Sequence, residues 1–519
     1  MKGSDMSFLK IETLRSRSLR TDSTLLLEGV LVGLLAGGAG VIYRLLISWC
    51  EDSVSYLAQL AALDWSRLPL ILIAFCIGAI ALGAIVRHEP YAGGSGIPQV
   101  TAEITGRIQT SPLSVLLHKY LGGTIAALCG LSLGREGPSI QLGAMCGKLV
   151  ARGLKHNYIR AQNLMSCGAA AGLSVAFNAP VSGVLFSLEE IHKTITKRLI
   201  ISCFAAALTA DVVSQYVFGL APIFHFPEIG KMPVSMYPWV VLLGIVSGCM
   251  GAVYFWGLRG CYYVYGKLNL YILLRPLPAI LCSFVLMLFF PIVLGGGHPI
   301  LGQLLNAPHA LWWLLLLLVV KTAFSLISFA SGVPGGIFLP ILIQGAILGC
   351  LFGQIVAPEY VVLFIVLAMA GYLTAVVRSP LTSLLLLFEM TQRISYFLPL
   401  AICCLLAYYT ANALGTPPIY EYLLQNILRK EKPRPDFDTT MMQVTAVVSD
   451  HSPLAGTALR DIALPPHALV IAIDRQGVAV VPRGETEIQA HDQLVFVLPR
   501  NQIGALEALL DETTEYEQP

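Results

Sequence analysis

The sequence predicts an all-α membrane protein with many spans and broken helices, followed by a small soluble α+β domain. The 519 residues are 56% hydrophobic and 12% charged, whereas a soluble domain carries about 25% charged residues. Mean hydropathy is +0.72. Apolar runs that are long enough to cross a bilayer recur between residues 25 and 413. A charged, proline-bearing stretch and strand-like alternation then follow.

The first 23 residues are basic and polar. They lack the apolar core and small-residue cleavage site of a signal peptide, so no cleaved leader is expected. Lys10, Arg15, Arg17 and Arg20 precede the first span. By the positive-inside rule they predict a cytoplasmic N-terminal tail over residues 1–23.

Several apolar segments are short or are interrupted by glycine and proline. These segments are 91–100, 134–143, 176–185, 331–340 and 376–385. Irregular backbone at membrane depth is tolerated only where protein buries it or where it lines a wet cavity. The interruptions therefore predict a polar site inside the membrane.

Residues 24–427 contain an internal repeat, with halves at about 24–215 and 236–427. Residues 167–190 match residues 367–390 at an offset of 200, and GREGP matches GIFLP at an offset of 202. The matched pairs include Pro180 with Pro380 and Glu189 with Glu389. Broken helices at matching positions of two halves are typical of transporters whose ion site lies at the repeat interface. The pairing also favours a symmetric structural role for Glu189.

The C-terminal part reads as a linker and a mixed domain. The predicted parts are a linker at 428–439, a soluble domain at 440–519, a hairpin at 468–484 with its turn at 475–477, a strand at 492–499 and a helix at 501–510 with Asn501 as its N-cap.

Three glycine- and proline-bearing loops, at 94–98, 134–138 and 335–340, each mark a place where a helix begins or ends. A helix N-terminus presents free N–H groups and a partial positive charge, and glycine lets a ligand approach the backbone. Converging loops of this kind would bind an anion without a full cationic charge. Glu136 is a candidate functional group because ionisable residues inside the membrane are costly.

The twelve cysteines and ten histidines show no metal-ligand spacing. We therefore expect no metal site and no cofactor. The chain carries no pattern that points to an enzyme or to a nucleic-acid partner.

Four ordered motifs, GSGIP (94–98), GREGP (134–138), GGIFLP (335–340) and PPIY (417–420), resemble the CLC family of chloride channels and proton-coupled chloride transporters over about residues 25–425. The resemblance implies two inverted helical repeats per subunit and a homodimer with a separate pore in each subunit. It also implies transmembrane chloride transport.

Residue roles follow from the same resemblance. Ser95 and Tyr420 would donate their hydroxyls to a central chloride, and the backbone N–H groups of Ile337 and Phe338 would complete that site. Glu136 would be the gating glutamate, whose carboxylate holds an outer anion position until it is protonated. From the residues alone, Ser95 could equally be a helix cap, and Tyr420 an anchor at the membrane interface.

Glu190 corresponds to the inner proton acceptor that exchangers of the family carry and channels generally lack. It favours chloride/proton antiport, with a passive, voltage- or pH-gated chloride channel as the alternative. Ser95 favours chloride, since nitrate-preferring relatives tend to have proline there. Gln99 replaces the family's usual glutamate in GSGIPE and alters the local charge.

Residues 440–512 resemble the TrkA-C (RCK-C) regulatory domain in their SPLxG, PRG and DxL pattern. That resemblance implies a dimerising module with a small-molecule or nucleotide ligand, and purely structural dimerisation is the alternative. The sequence thus predicts a multi-pass protein of a bacterial inner membrane, in contact with lipid, with both termini cytoplasmic.

Overall fold

The computed structural model describes residues 4–193, 195–219, 224, 226–227, 232–306, 309–429, 441–448, 454–475, 478–499, 502 and 506. The chain divides into two units, Met1–Leu428 and Arg429–Pro519. The predicted linker at 428–439 and the predicted helix at 501–510 lie almost wholly outside the described residues, and so do Gln476 and Gly477 of the predicted turn.

The first unit is helical throughout its described residues. The helices are α1 Ser4–Leu63, α2 Leu68–His88, α3 Ile97–Ile104, α4 Pro112–Leu128, α5 Glu136–Gly153, α6 Tyr158–Phe177, α7 Pro180–Phe186, α8 Lys197–Phe218, α9 Tyr237–Leu268, α10 Leu277–Phe289, α11 His298–Asn306, α12 Leu311–Ala330, α13 Phe338–Val356, α14 Val361–Val377, α15 Pro380–Thr391, α16 Phe397–Ala413 and α17 Ile419–Leu428. A π-helical turn, Ser187–His192, extends α7.

Eight helical segments of the described chain are long and apolar enough to cross a membrane. Others are much shorter, such as α3, α7 and α17. Proline stands at the first or second position of several helices, including α3, α4, α7 and α15. Proline has no N–H to lose there and its fixed φ suits a helix start. The expected multi-span protein with broken helices is confirmed.

Matching helix pairs are built alike in the two halves. A Cβ added to Gly143 of α5 would lie 2.0 Å from the carbonyl oxygen of Gly168 in α6. A Cβ added to Gly345 of α13 would lie 2.7 Å from the carbonyl oxygen of Ala368 in α14. Small residues let helix backbones approach closely inside a membrane. The repeat seen in the sequence is therefore a repeat in the packing.

The links between α6 and α7 and between α14 and α15 also correspond. Asn178 ends α6 with a φ of 52°, and Arg378, 200 residues later, ends α14 with a φ of 72°. A left-handed residue stops each helix. Pro180 and Pro380 then start the next one.

The second unit contains a four-stranded sheet in its described residues. The strands are β1 Met441–Val447, β2 Leu469–Arg475, β3 Val478–Val480 and β4 Gln493–Pro499. They are ordered β1-β4-β2-β3 and each neighbouring pair is antiparallel. The predicted hairpin and third strand correspond to β2, β3 and β4. Strand β1 was not predicted, although its MMQVTAV alternates between apolar and polar residues from Met442 to Ala446.

One ion pair, between the partly exposed Arg475 and the buried Asp492, ties this sheet to the turn before β4. The Arg475 guanidinium donates to both carboxylate oxygens of Asp492, at 2.8 and 2.7 Å. The backbone N–H of Gln489 also donates to Asp492, at 2.8 Å. The Arg475 hydrogen bonds hold the pKa of the Asp492 carboxyl below its usual range.

Candidate functional site

Three loops of the first unit meet through backbone hydrogen bonds. The N–H of Gly335 donates to the carbonyl of Gly94 at 3.0 Å. Gly134 and Gly336 exchange two such bonds, at 2.7 and 2.8 Å. These contacts join GSGIP, GREGP and GGIFLP, so the loops converge as the sequence predicts.

Close packing at this junction depends on glycine. A Cβ on Gly137 would lie 2.8 Å from the carbonyl oxygen of Ser95, and one on Gly336 would lie 3.1 Å from the backbone nitrogen of Gly137. A side chain at either position would push the loops apart.

Helices α3, α5 and α13 begin at this junction, at Ile97, Glu136 and Phe338. The first N–H groups of a helix have no partner within it. Ile337 caps α13 and is fully buried, as is Phe338. The N-terminal ends of three helices therefore place partial positive charge around one point inside the protein.

Ser95 lies in the first of these loops and is 2% exposed. Its Oγ accepts a hydrogen bond from the backbone N–H of Ile97 at 3.2 Å. The hydroxyl thus helps to cap α3. Its proton has no acceptor in the part of the chain that the structure describes, so it remains available to a ligand.

Tyr420 belongs to α17 and is 3% exposed. Its hydroxyl is buried and has no hydrogen-bond partner among the described residues. The ring packs edge-on against Phe186 at 6.3 Å, and Phe186 packs against Phe338 at 5.9 Å. Tyr420 therefore lies inside the protein beside α13, and the reading of it as an interfacial anchor is wrong.

Glu136 is the first residue of α5 and is 1% exposed. Its Oε2 has no hydrogen-bond partner within the described residues. The carboxylate rests over Gly134, since a Cβ added there would lie 2.3 Å from Oε2. A carboxylate with one unpartnered oxygen thus occupies the junction where three helix N-termini would favour a free anion.

Arg135 makes few close polar contacts in the described chain. Its Nη1 donates a long hydrogen bond, 3.4 Å, to the hydroxyl of Ser48, and its buried Nε is without a partner among the described residues. The guanidinium lines a small cavity beside Gly134.

Glu190 lies in the π-helical turn after α7 and is 7% exposed. The hydroxyl of Ser379 donates to its Oε2 at 3.1 Å. It lines a cavity of about 400 Å³ together with Lys193, Arg378 and Tyr408. A π turn often marks a functional position in a helix, and here it brings a carboxylate to a cavity that carries both acidic and basic side chains.

Glu189 and Glu389 cap each other's helices. Glu189 accepts from the N–H and the hydroxyl of Thr382 in α15, at 3.0 and 2.7 Å. Glu389 accepts from Val181 N–H at 3.0 Å and from the N–H and hydroxyl of Ser182 in α7. The predicted symmetric role of Glu189 is confirmed. Glu189 and Glu190 both line the cavity, but Glu189 is the one that caps α15.

Two buried lysines were missed by the sequence analysis. Lys119 donates to the carbonyls of Ala92 and Gly94, at 2.9 and 2.8 Å. Lys321 donates to those of Val293 and Gly295, both at 2.8 Å. The lysines are 202 residues apart, which is the offset of the motif repeat and would have identified them. Each fixes the backbone of a loop.

Gln99 fills the place where the family usually has glutamate. Its Nε2 donates to the carbonyl of Gly93 at 2.7 Å, while its buried Oε1 has no partner within the described residues. The amide can donate to a carbonyl, whereas a carboxylate could not. Gln99 therefore binds the loop at Gly93 through a hydrogen bond and adds no charge.

The sequence model of the voltage-gated chloride channel family matches residues 77–412. The chain belongs to this family, the CLC proteins. A second model, that of the TrkA-C domain, matches residues 444–511.

The CLC relatives include transporters. The H(+)/Cl(-) exchange transporter ClcA of Salmonella arizonae is 33% identical over 435 residues, which cover 79% of this chain and 90% of ClcA. The crystal structure of a slow cyanobacterial Cl-/H+ antiporter matches with a TM-score of 0.73 and 28% identity, over 78% of this chain and 98% of that one. A CLC-type fluoride/proton antiporter matches with a TM-score of 0.65 and 21% identity, over 77% and 97%. That last likeness concerns the fold alone.

Proposed function

We infer that this protein is a membrane antiporter that exchanges chloride for protons. The observation that carries this inference is the buried carboxylate of Glu136 at the meeting point of three helix N-termini, with its Oε2 unpartnered within the described chain. A carboxylate there competes with a transported anion when it is charged and leaves the site when it is neutral. One group thereby links anion movement to proton binding.

The surrounding groups fit a small anion, and the likeness to an H(+)/Cl(-) exchange transporter favours chloride. The hydroxyls of Ser95 and Tyr420 and the backbone N–H groups of Ile337 and Phe338 are neutral donors on the elements that meet here. Neutral donors bind an anion without holding it too tightly to leave. We assign these four residues to a central chloride site and Glu136 to the gate above it.

Glu190 supports exchange over passive conduction. It provides a second buried carboxylate. The residues that line its cavity lie outside the three loops. An exchanger needs a separate path by which protons reach the gate from the other side, and Glu190 supplies an acid for it. A channel on the same scaffold would have no need of that acid.

The two acids belong to opposite sides of the membrane. Glu28, near the start of α1, pairs with Arg160 at the start of α6, at 2.7 Å. Farther along α1, Ser48 contacts Arg135 beside Glu136. His192, next to the Glu190 turn, contacts Ser166 in the first half of α6 at 2.8 Å. Glu190 is thus on the side of the N-terminal tail.

By the positive-inside rule, the basic tail supports a cytoplasmic location for that side. Glu136 then faces the outside of a bacterial inner membrane. The protein would act as a homodimer with one pore per subunit, as the resemblance implies. Its TrkA-C domain would respond to a small-molecule or nucleotide ligand.

Chloride-driven proton movement tests the function. Protein reconstituted in vesicles is given an outward chloride gradient, and the external pH is recorded with and without a proton ionophore. Uphill proton movement that the ionophore collapses is the expected result. Chloride efflux without proton movement would leave the passive channel as the function.

A further inference from the structure

A carboxylate and an imidazole face each other near the gate, on the side of Glu136. Nδ1 of His298, the first residue of α11, lies 3.6 Å from Oε2 of Glu51 in α1. The backbone N–H of Gly296 donates a long hydrogen bond to the other carboxylate oxygen, at 3.4 Å. Neither side chain belongs to the four motifs or to the anion site.

Glu51 lies between two cavities. The larger, of about 320 Å³, is also lined by Gly295, Pro299 and Gln303. The smaller, of about 20 Å³, is also lined by Gly134 and Arg135. Its volume suits roughly one water molecule. Because the carboxylate of Glu136 rests over Gly134, the small cavity reaches the gate from Glu51.

The internal repeat relates the loop that contacts Glu51 to the first anion-site loop. GGGHP (295–299) corresponds to GSGIP (94–98) at an offset of 201, and Lys321 fixes it as Lys119 fixes the first loop. Where the first loop presents Ser95, the second presents Gly296, whose N–H meets Glu51. The second loop therefore holds a carboxylate that is part of the protein. Such an anion cannot be transported, but it can bind and release a proton.

Other ionisable groups surround the pair. Arg135 and Lys321 interact electrostatically with Glu51, as does Cys50 next to it in α1. Glu136 interacts with both members of the pair, and Tyr43 of α1 lines the small cavity. The ring of Phe224 packs on His298 at 5.4 Å. The pair is thus coupled to the gate by charge as well as by the cavity.

We propose that His298 and Glu51 transfer protons between the outer solution and Glu136, an inference that rests on the proposed antiport. A proton from bulk water binds the imidazole of His298. The imidazolium N–H gives its proton to a carboxylate oxygen of Glu51, and the neutral imidazole is restored. Glu51 then protonates Glu136 through water in the small cavity and becomes a carboxylate again. One proton moves, and the reverse sequence serves transport in the other direction.

The test is the coupled proton flux of full-length protein in vesicles, measured against pH on the Glu136 side. We expect His298→Phe and Glu51→Gln to slow it about tenfold or more at pH near 7.5, since positioned proton transfer contributes rate factors of about 100 or more. At pH near 5 the rates should approach that of the parent, because free protons are then plentiful. Gln303→Ala, in the wall of the larger cavity, is the matched control and should leave the pH profile unchanged.

Two further variants separate transfer from charge and from folding. His298→Lys keeps a positive charge but makes a poor carrier at neutral pH, and it should be as slow as His298→Phe. In a Glu136→Gln background, which the proposed function expects to pass chloride alone, neither substitution should change chloride flux.

Three results would each overturn the proposal. The first is a loss of coupled proton flux that is equal at every pH, and the second is full activity of His298→Lys. The third is a reduced chloride flux in the Glu136→Gln background. A parent protein that moves no protons would overturn the antiport itself. A coupled parent with unaltered His298→Phe and Glu51→Gln variants would overturn the relay alone.

Discussion

In the proposed mechanism, Glu136 combines the gate and the proton-binding group in one side chain. It is buried at a helix N-terminus, where a negative charge is favoured, yet its Oε2 has no partner among the described residues. That position suits a group that stays when charged and leaves when protonated. A permanently paired carboxylate could not do both.

The first prediction concerns this gate. Glu136→Gln mimics the protonated acid, so chloride flux should persist while coupled proton movement falls to background and the pH dependence of chloride flux disappears. Parallel chloride and proton flux measurements on vesicles check this. Glu190→Gln is the matched control, because it should also stop protons yet leave chloride flux sensitive to pH. Uphill proton pumping by Glu136→Gln would contradict the gate.

The second prediction concerns anion choice. Ser95→Pro removes a hydroxyl donor, worth about 1 kcal/mol or about fivefold in affinity, and stiffens the loop. Chloride binding should weaken relative to nitrate, which calorimetric titration and flux ratios measure. Ser95→Ala removes the hydroxyl without proline's backbone constraint and separates the two effects. An unchanged anion ranking in both variants would show that Ser95 is not at the selective site.

Individual residues differ in how far sequence predicts them. Ser95, Glu136 and Tyr420 lie in motifs, and the structure places them on the elements that meet near the gate. Phe186, which packs between Tyr420 and Phe338, has no sequence signal of its own. Lys119 would have been found through the repeat. The Glu51–His298 contact joins residues 247 positions apart, and only the fold brings them together.

At the scale of elements, the reciprocal caps of α7 and α15 hold the two repeats together. Each helix begins with proline after a left-handed residue and leaves N–H groups that a glutamate of the other repeat accepts. The sequence predicted a shared role for Glu189 and Glu389 from their offset. It did not predict the crossed partners, because an internal alignment carries no distance.

The third prediction tests these caps. Glu189→Ala and Glu389→Ala should each lower stability by about 1–2 kcal/mol, the usual cost of a lost helix cap. Thermal unfolding in detergent should show a lower midpoint for both. Glu359→Ala, at an exposed carboxylate before α14, is the control and should leave the midpoint unchanged. A lowered unfolding midpoint in only one of the two variants would refute the symmetric role.

The sheet of the C-terminal unit illustrates the limits of pattern reading. Strands β2 and β4 were predicted, and burial alternates along most of β4. Strand β1 pairs with β4 over seven residues, but its own alternation covers only the five residues from Met442 to Ala446. Pairing with β4 therefore determines that strand more than the short local pattern does.

At the scale of the molecule, the two repeats explain how one chain builds its site. Gly134 and Gly336, from corresponding loops, bond to each other across the repeat boundary. Composition predicts the class and the internal offset predicts the two halves. The meeting of the loops also follows, because broken helices in a membrane need partners for their backbone.

The fourth prediction concerns the TrkA-C domain. If this domain regulates transport, deletion of residues 440–519 should change the chloride transport rate while the proton-to-chloride ratio stays the same, since the gate and both acids precede residue 428. Flux assays on the full-length and shortened proteins measure both quantities. An altered ratio would mean that the domain takes part in coupling, and an unchanged rate would indicate a structural role.

The most direct test of chloride/proton exchange is the reversal potential of reconstituted protein under opposed chloride and pH gradients. An antiporter has a zero-current potential that depends on both gradients, so it should shift when pH alone is changed. In Glu190→Gln it should coincide with the chloride equilibrium potential. A parent protein whose reversal potential equals the chloride equilibrium potential at every pH would contradict the account.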